Sequence, residues 1–342
     1  MTVPISIKDV AAHAGVSTGT VSNVLNRPER VAVATRERVN AAIRELGFIR
    51  NESARQLRVG RSRMIGLVVL DVANPFFTDV ALGVEEEAGE AGLSVILCNS
   101  DDQIARQDRH LELLQEQRVQ GILLTPVEAG DERIGRLQQH GTPVILVDSR
   151  SANGGQCSVA VDDVRGGDMA VSHLLKAGHR RIGYVAGPVS IRQVADRRDG
   201  AIQALQRAGG QAGNLIVIEG PALNWAAGKQ AGADLAGMRS RERPTGVFCA
   251  NDLLALGLLQ ELTRRGIKVP DDVAIVGYDD IEFAAAAAVP ISSVRQPRRQ
   301  LGRTAAQLLL EEASATGPHA HRQVIFQPEL VIRESSGHRP RS

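Results

Sequence analysis

The sequence predicts an α/β protein in which a small all-α helix-turn-helix head precedes a two-lobed core of doubly wound parallel sheets. Three observations carry that expectation. The first sixty or so residues hold apolar positions at helical spacing with cap residues at the helix ends. From Ile65 onward, short apolar runs alternate with amphipathic stretches. After residue 162 the alternation starts again, as it would in a second lobe of the same kind.

Ser6 followed by Asp9 has capping-box spacing, and Ile7, Val10, Ala11 and Ala14 fall on one face of a first helix that Gly15 ends. Ser17 is placed to cap a second helix. In it Val21, Val24 and Leu25 point inward, leaving Thr18, Gly19, Ser22, Asn23 and Asn26 on an outward polar face. A helix pair of this kind presents its second helix to a DNA major groove. Charge agrees: residues 1–63 hold eleven Lys and Arg against five Asp and Glu, a net of +6, while the whole chain is only +1. A basic head on a mildly acidic body suits a phosphate backbone, because each neutralised phosphate releases counterions.

At 342 residues the chain exceeds one ordinary domain. Cys98, Cys157 and Cys249 stand far apart without paired metal-ligand spacing, which predicts a reduced, cytoplasmic protein with no metal. Neither a signal-peptide core nor a run of eighteen apolar residues is present, so neither export nor a membrane is expected. There is no Gly-x-Gly triplet, no Gly-Lys-Ser/Thr phosphate loop and no His-Glu-x-x-His helix, which argues against a cofactor and against an enzyme. His173 and His179, on and just after an apolar helix from about Gly166 to Ala177, read as packing or helix-end charge.

The run from Ile5 to Asn26, continuing through Thr35–Val39 and Ala42–Phe48 to Ala54–Arg58, resembles the head-piece of the lactose/galactose repressor (LacI/GalR) family at fixed spacing. The resemblance implies a head-piece over 1–50, a hinge helix or linker over 51–63, an effector-binding and dimerisation core over 64–335 and a tail over 336–342. It implies a sequence-specific transcriptional regulator, a repressor of carbohydrate genes released from a palindromic operator by a sugar-like effector. The alternatives are a corepressor-dependent regulator with a purine-type ligand, or a sugar-binding protein without a DNA role.

DNA contacts implied by the resemblance divide by chemistry. Ser17, Thr18 and Asn23 suit base edges, a Thr methyl meeting thymine and an Asn amide pairing with adenine. Thr20, Ser22, Asn26 and Arg36 suit phosphates. Gly19 offers no side chain and costs the helix about 1 kcal/mol relative to Ala. In the hinge, Asn51, Ala54, Arg55, Leu57 and Arg58 match, and Leu57 stands where the family's leucine wedges into the minor groove. One helical turn is marginal in water, so this segment should order only with DNA or a partner subunit. An ordinary exposed linker leucine is the alternative for Leu57.

In the core, Ile65–Leu70, Val95–Cys98, Gly121–Thr125 and Val144–Val147 read as buried parallel strands, and Arg181–Ala186, Ile216–Glu219, Val247–Ala250 and Val273–Val276 as a second set. Residues 64–335 resemble the periplasmic-binding-protein type of core. The expected lobes are about 64–162 with 292–323, and about 163–291 with 324–335. Ligands of open α/β sheets sit beyond the carboxyl ends of the strands. The effector contacts implied there are Asn74, Phe76, Phe77, Asp148, Arg197, Leu223, Trp225, Asn251, Asp279 and Gln296. Carboxylates, amides and an Arg fork complement sugar hydroxyls, and an aromatic ring covers a C–H face.

Several of these readings stay open. Asn74 before Pro75 is equally a helix N-cap, Asp252 and Asp280 suit helix caps, and either Phe76 or Phe77 faces the cleft. The chain also departs from the family pattern. Ala32 replaces a cap serine at a cost of about 1 kcal/mol, Arg50 replaces a proline, Ser149 separates Asp148 from Arg150, and Leu223 competes with Trp225 for one aligned position. The tail from Glu334 to Ser342 has no leucine heptads, which predicts a homodimer rather than a tetramer.

Overall fold

A computed structural model describes residues 5–48, 62–128, 132–317 and 319–337. Asn51, Ala54, Arg55, Leu57 and Arg58 lie outside the described residues. The chain divides into two compact units at the Ser62–Arg63 bond.

The head contains α1 (Ile7–Ala14), α2 (Thr18–Asn26) and α3 (Val33–Leu46), with a short 3-10 turn at Pro28–Arg30. At the start of α1, the Asp9 carboxylate accepts from the Ser6 hydroxyl at 2.7 Å and the Ser6 N–H at 2.8 Å, and these bonds hold Asp9 below the usual carboxylate range. Gly15 closes α1 at φ 61°, in the left-handed region that favours glycine. Ser17 caps α2 by accepting the Thr20 N–H at 3.1 Å. Ala32 gives α3 no side-chain cap. Val10, Ala11, Ala14, Val21, Val24, Val39 and Ala42 form the buried centre, each on the apolar stripe of its helix.

The larger unit holds two sheets. The first contains β1 (Met64–Val69), β2 (Ser94–Asn99), β3 (Ile122–Leu124), β4 (Val144–Val147) and β5 (Ser158–Val161), connected by α4 (Pro75–Glu90), α5 (Ile104–Glu116) and α6 (Glu132–Gln139). The second contains β6 (Ile182–Ala186), β7 (Leu215–Glu219), β8 (Gly246–Cys249), β9 (Ala274–Asp279) and β10 (Ser292–Arg295). Its helices are α7 (Asp163–Lys176), α8 (Arg192–Arg207), α9 (Trp225–Gly237), α10 (Asp252–Arg264) and α11 (Glu282–Ala285). The chain then runs through α12 (Arg298–Ser314), β11 (Gln323–Phe326) and β12 (Glu329–Val331).

Strand order is β11-β5-β4-β3-β1-β2 in one sheet and β12-β10-β9-β8-β6-β7 in the other, so five strands of each lobe wind in the same order. All neighbours are parallel except β10 with β12. Parallel strands need cover on both faces, and β1 shows how: Ile65, Leu67 and Val69 join one apolar cluster while Val68 joins the cluster on the other face. In each sheet the winding reverses between two strands, β1 and β3 or β6 and β8, which is where such folds place a ligand.

The expected lobe boundaries need correcting. Residues 292–295 were placed with the first lobe and 324–326 with the second, but β10 pairs with β9 in the second sheet and β11 pairs with β5 in the first. The crossings therefore fall at Gln296–Pro297, ahead of α12, and between Phe326 and Glu329. Close helix contact fixes the second lobe: a Cβ on Gly167 of α7 would overlap the Arg197 carbonyl oxygen of α8. Among the described residues no helix is long and apolar enough to cross a membrane.

Candidate functional site

Burial of Val21 and Val24 turns the opposite face of α2 outward. Ser17, Thr18, Gly19, Asn23 and Asn26 are exposed, while Thr20, Ser22 and Arg36 are half-buried. Two residues expected at phosphates are tied locally: Thr20 Oγ1 lies 2.9 Å from Ser17 Oγ, and the Asn26 amide donates to the Ser22 carbonyl at 2.7 Å. Thr18 and Asn23 stand out from this face one helical turn and a fraction apart, uncharged and accessible.

A cavity lies between the two lobes at the carboxyl ends of their strands. Asn74, Phe76, Phe77, Asp148, Arg197, Leu223, Asn251 and Asp279 line it, which brings together eight of the ten residues expected to touch an effector. Both open choices at its first-lobe edge resolve as dual roles. Asn74 Oδ1 caps α4 by accepting the Phe76 N–H at 3.0 Å, while its Nδ2 reaches Asp279 Oδ2 across the cleft at 3.5 Å. Phe76 and Phe77 are both buried and both line the cavity, their rings edge to face at 5.0 Å.

The second-lobe wall is a network. Arg197 Nε donates to Asp163 at 2.8 Å, Nη1 donates to the Ala250 carbonyl at 2.8 Å, and the guanidinium lies 3.7 Å above the Tyr278 ring. Of its nitrogens, Nη2 is the one left over from those two bonds. Asp279 accepts from Gln296 Nε2 at 2.7 Å; burial pushes it up to about 6 against the pull of Arg197. Gln193, in the first turn of α8, donates to Asp148 Oδ2 at 3.0 Å and to the Asp148 carbonyl. Asp148 itself sits at φ 52° after β4. Burial drives its carboxyl well upward, the Asp163 carboxylate adds to this, and Arg197 opposes it. Its buried Oδ1 has no hydrogen-bond partner in the protein.

Four expectations change here. Gln296 is buried beneath Asp279 and orients it instead of lining the cavity. Trp225 begins α9 with 43% of its surface exposed and the Lys229 ammonium 5.3 Å from its ring, away from the cavity, whereas Leu223 lines it. The Asn251 amide caps α10 at Leu254 N–H and donates to the Leu223 carbonyl, so it braces the wall. Asp252 and Asp280 cap no helix: Asp252 accepts from Ser293 Oγ and Ile281 N–H, and Asp280 pairs with Arg295 and Arg333. His173 and His179 do bond to the scaffold, at Ser336 and Thr245.

Sequence reasoning missed Asp71, Asp101, Asp102, Gln193 and Asn224, all of which line the cavity, and Asp163 behind Arg197. Asp101 and Asp102 follow β2, so the same strand-end rule that found Asp148 locates them. Gln193 is four positions before Arg197 on one helix face. Partial desolvation and the neighbouring Asp71 and Asp101 carboxylates push Asp102 up to about 6. Five carboxyl groups against one arginine make a site rich in acceptors, which suits a ligand rich in hydroxyl or amine donors.

Comparison with known proteins fits this geometry. Residues 6–51 match the model of the lacI family of bacterial regulatory proteins, and residues 171–336 match a periplasmic binding protein-like domain. The HTH-type transcriptional repressor PurR of Photobacterium profundum is 34% identical over 96% of this chain and 98% of its own length. Among solved structures, the lac repressor dimer bound to operator and the anti-inducer ONPF aligns at a TM-score of 0.85 and 28% identity, covering 98% of this chain and 99% of that one. A complex of the transcriptional regulator CelR with cellobiose aligns at 0.71 and 31% identity over 97% and 99% of the two chains. Likeness therefore runs through the head and both lobes together, and the chain belongs to the lacI family of bacterial regulatory proteins, as a DNA-binding transcriptional repressor.

Proposed function

We propose that this repressor binds a palindromic double-stranded operator as a homodimer, and that a sugar or sugar derivative in the cleft lowers its affinity for that operator. The reading rests chiefly on one observation: Asp148, which keeps a buried oxygen without a protein partner, lines a cavity together with further carboxyl groups and two phenylalanine rings. Hydroxyl donors would satisfy those oxygens, and a sugar's C–H face would lie against Phe76 or Phe77. The likeness to a regulator solved with cellobiose supports the same class. Thr18 and Asn23 are the proposed base readers, and both Leu57 side chains of a dimer would enter the minor groove near the operator centre. On this reading the protein acts in the cytoplasm, on DNA, without catalysis.

Ligand closing the cleft would change how the two lobes meet, and by linkage DNA would weaken ligand binding by the same factor. A second reading, in which a purine-type ligand acts as corepressor, is favoured by 34% identity to a repressor named PurR along nearly the whole chain. Selection of genomic fragments by the purified protein, sequenced with and without each ligand class, tests both. The expected result is a short palindrome beside transport or catabolic genes, depleted when the right sugar is added. Enrichment that appears only with a purine base would establish the second reading, and no enrichment under either condition would overturn both.

A further inference from the structure

Away from the cleft, the first lobe gathers a set of side chains suited to a transition metal. Cys157 is fully buried just ahead of β5, Glu312 lies in the last turn of α12, and His319 and His321 lie on the segment leading to β11. All four ligating atoms lie within 4.8 Å of one another. Cys157 Sγ is 3.3 Å from His319 Nε2 and 3.9 Å from His321 Nδ1, and Glu312 Oε2 is 3.8 and 3.7 Å from the same two nitrogens. A tetrahedral ion with bonds of about 2.0–2.3 Å needs donor–donor edges of roughly 3.3–3.6 Å. The cluster is within about half an ångström of that size on every one of these edges.

Two further observations point to a ligand. Glu312 Oε2 is buried without any hydrogen-bond partner, on a side chain only 10% exposed and aimed at the two imidazoles. Such an orphaned carboxylate oxygen is costly unless something cationic satisfies it. The Arg322 backbone N–H donates to Cys157 Sγ at 3.3 Å, an outer contact of the kind that supports a metal-bound thiolate. Nothing in the spacing of the three cysteines signals this cluster, because Cys157 is brought to Glu312, His319 and His321 from more than 150 residues away.

We propose that Cys157, Glu312, His319 and His321 form a zinc-binding site that fastens the α12–β11 segment to the start of β5. One thiolate, two imidazoles and one carboxylate are a borderline-soft donor set that suits Zn²⁺ and not the oxygen-seeking Mg²⁺ or Ca²⁺. Four protein donors leave no open position, which makes the site structural in kind. On coordination the Cys157 thiol gives its proton to solvent and its sulfur lone pair to the ion. The fastened segment leads into β11, after which the chain crosses to the second sheet, so the ion would stiffen one connection between the lobes.

The test uses the full-length untagged protein stripped with a chelator, then titrated with Zn²⁺ against a chromophoric chelator and, separately, with Co²⁺. One equivalent of Zn²⁺ and a thiolate-to-cobalt charge-transfer band with tetrahedral d–d bands are expected. The double variant His319→Ala/His321→Ala should lose the cobalt spectrum and bind Zn²⁺ at least about 100-fold more weakly, with its circular dichroism unchanged. Cys157 is buried and its replacement threatens folding, which is why the histidine pair is the primary variant; Glu312→Gln provides a second. Failure of the wild type to take up stoichiometric metal, or unchanged affinity in the double histidine variant, would overturn the proposal.

Discussion

The first and second lobes wind their five principal strands in the same order, yet the residues at the ends of those strands are held differently. In the second lobe nearly every polar group at the cleft has an internal partner: Arg197 with Asp163, Asp279 with Gln296, Asn251 with the Leu223 carbonyl. In the first lobe Asp71, Asp101 and Asp102 crowd one another, and Asp148 keeps a buried oxygen without a protein partner. A shared fold thus delivers polar residues to the same place twice, while their partners decide whether they are locked or left for a ligand. The locked wall presents a fixed pattern of groups; on the acidic wall, among the described residues, Asp71 and Asp101 have partners only near them in sequence, the Ala73 N–H, Gln103 and Arg106, and Asp148 keeps a buried oxygen without one.

The largest effect should come from unlocking the second wall. Arg197→Leu strands Asp163 as an uncompensated buried carboxylate, and removing one member of a buried pair costs about 3–5 kcal/mol. Urea unfolding would show it; a loss below about 1 kcal/mol would mean that this wall is not held by the pair. Next is the first wall. Asp148→Asn removes a carboxyl oxygen that has no partner within the protein, and leaving the matching ligand group unsatisfied costs about 1–3 kcal/mol, so effector affinity should fall roughly 10- to 100-fold while effector-free operator binding stays unchanged.

A third experiment asks both walls the same question. Asp279 in the second and Asp102 in the first are each raised from 3.8 to about 6. A carboxyl raised in the folded state contributes stability that is present below its unfolded value and is lost as pH rises through the folded one, here between about pH 4 and 6. Protonation also removes an acceptor. Lowering pH from 7.5 to 5.5 should therefore stabilise the core slightly while weakening effector binding, by calorimetry at each pH. Affinity that is flat across this window would separate both carboxyls from the ligand. The smallest effect belongs to the loose rim: Asp101→Asn, at a left-handed φ that Asn tolerates, should alter stability by no more than about 0.5 kcal/mol. It should also bring Asp102 back toward its ordinary value, a shift readable by NMR titration.

What was legible in the sequence follows the same division. Buried parallel strands are continuous apolar runs, so β1, β3, β4, β6, β8 and β9 announce themselves; β2 and β7 carry similar runs but are edge strands rather than buried ones, with Leu97 and Val217 exposed. β5 did not, because four residues opening on Ser158 after a Gly-rich stretch carry too little pattern. The crossings were misplaced because β10 and β11 are short, and which sheet a four-residue strand joins depends on pairing partners that are distant in sequence. In the head, caps and apolar spacing made α1 and α2 readable almost residue by residue. At the cleft, strand-end residues were found wherever the rule was applied. Gln296, however, was mistaken for a ligand contact because only the structure shows that its amide turns to Asp279. Asp163 was invisible for the same reason: its function is to hold Arg197.

One titration tests the effector cleft most directly: fluorescence anisotropy of the selected operator with the wild type and with Asp148→Asn, against a panel of monosaccharides and disaccharides with purine bases alongside. At least one sugar is expected to lower wild-type operator affinity by about 5- to 150-fold, and the variant should need roughly 10- to 100-fold more of it for the same effect. A sugar response in the variant at the same concentrations as in the wild type, or a panel in which only a purine base acts and raises affinity, would contradict this reading.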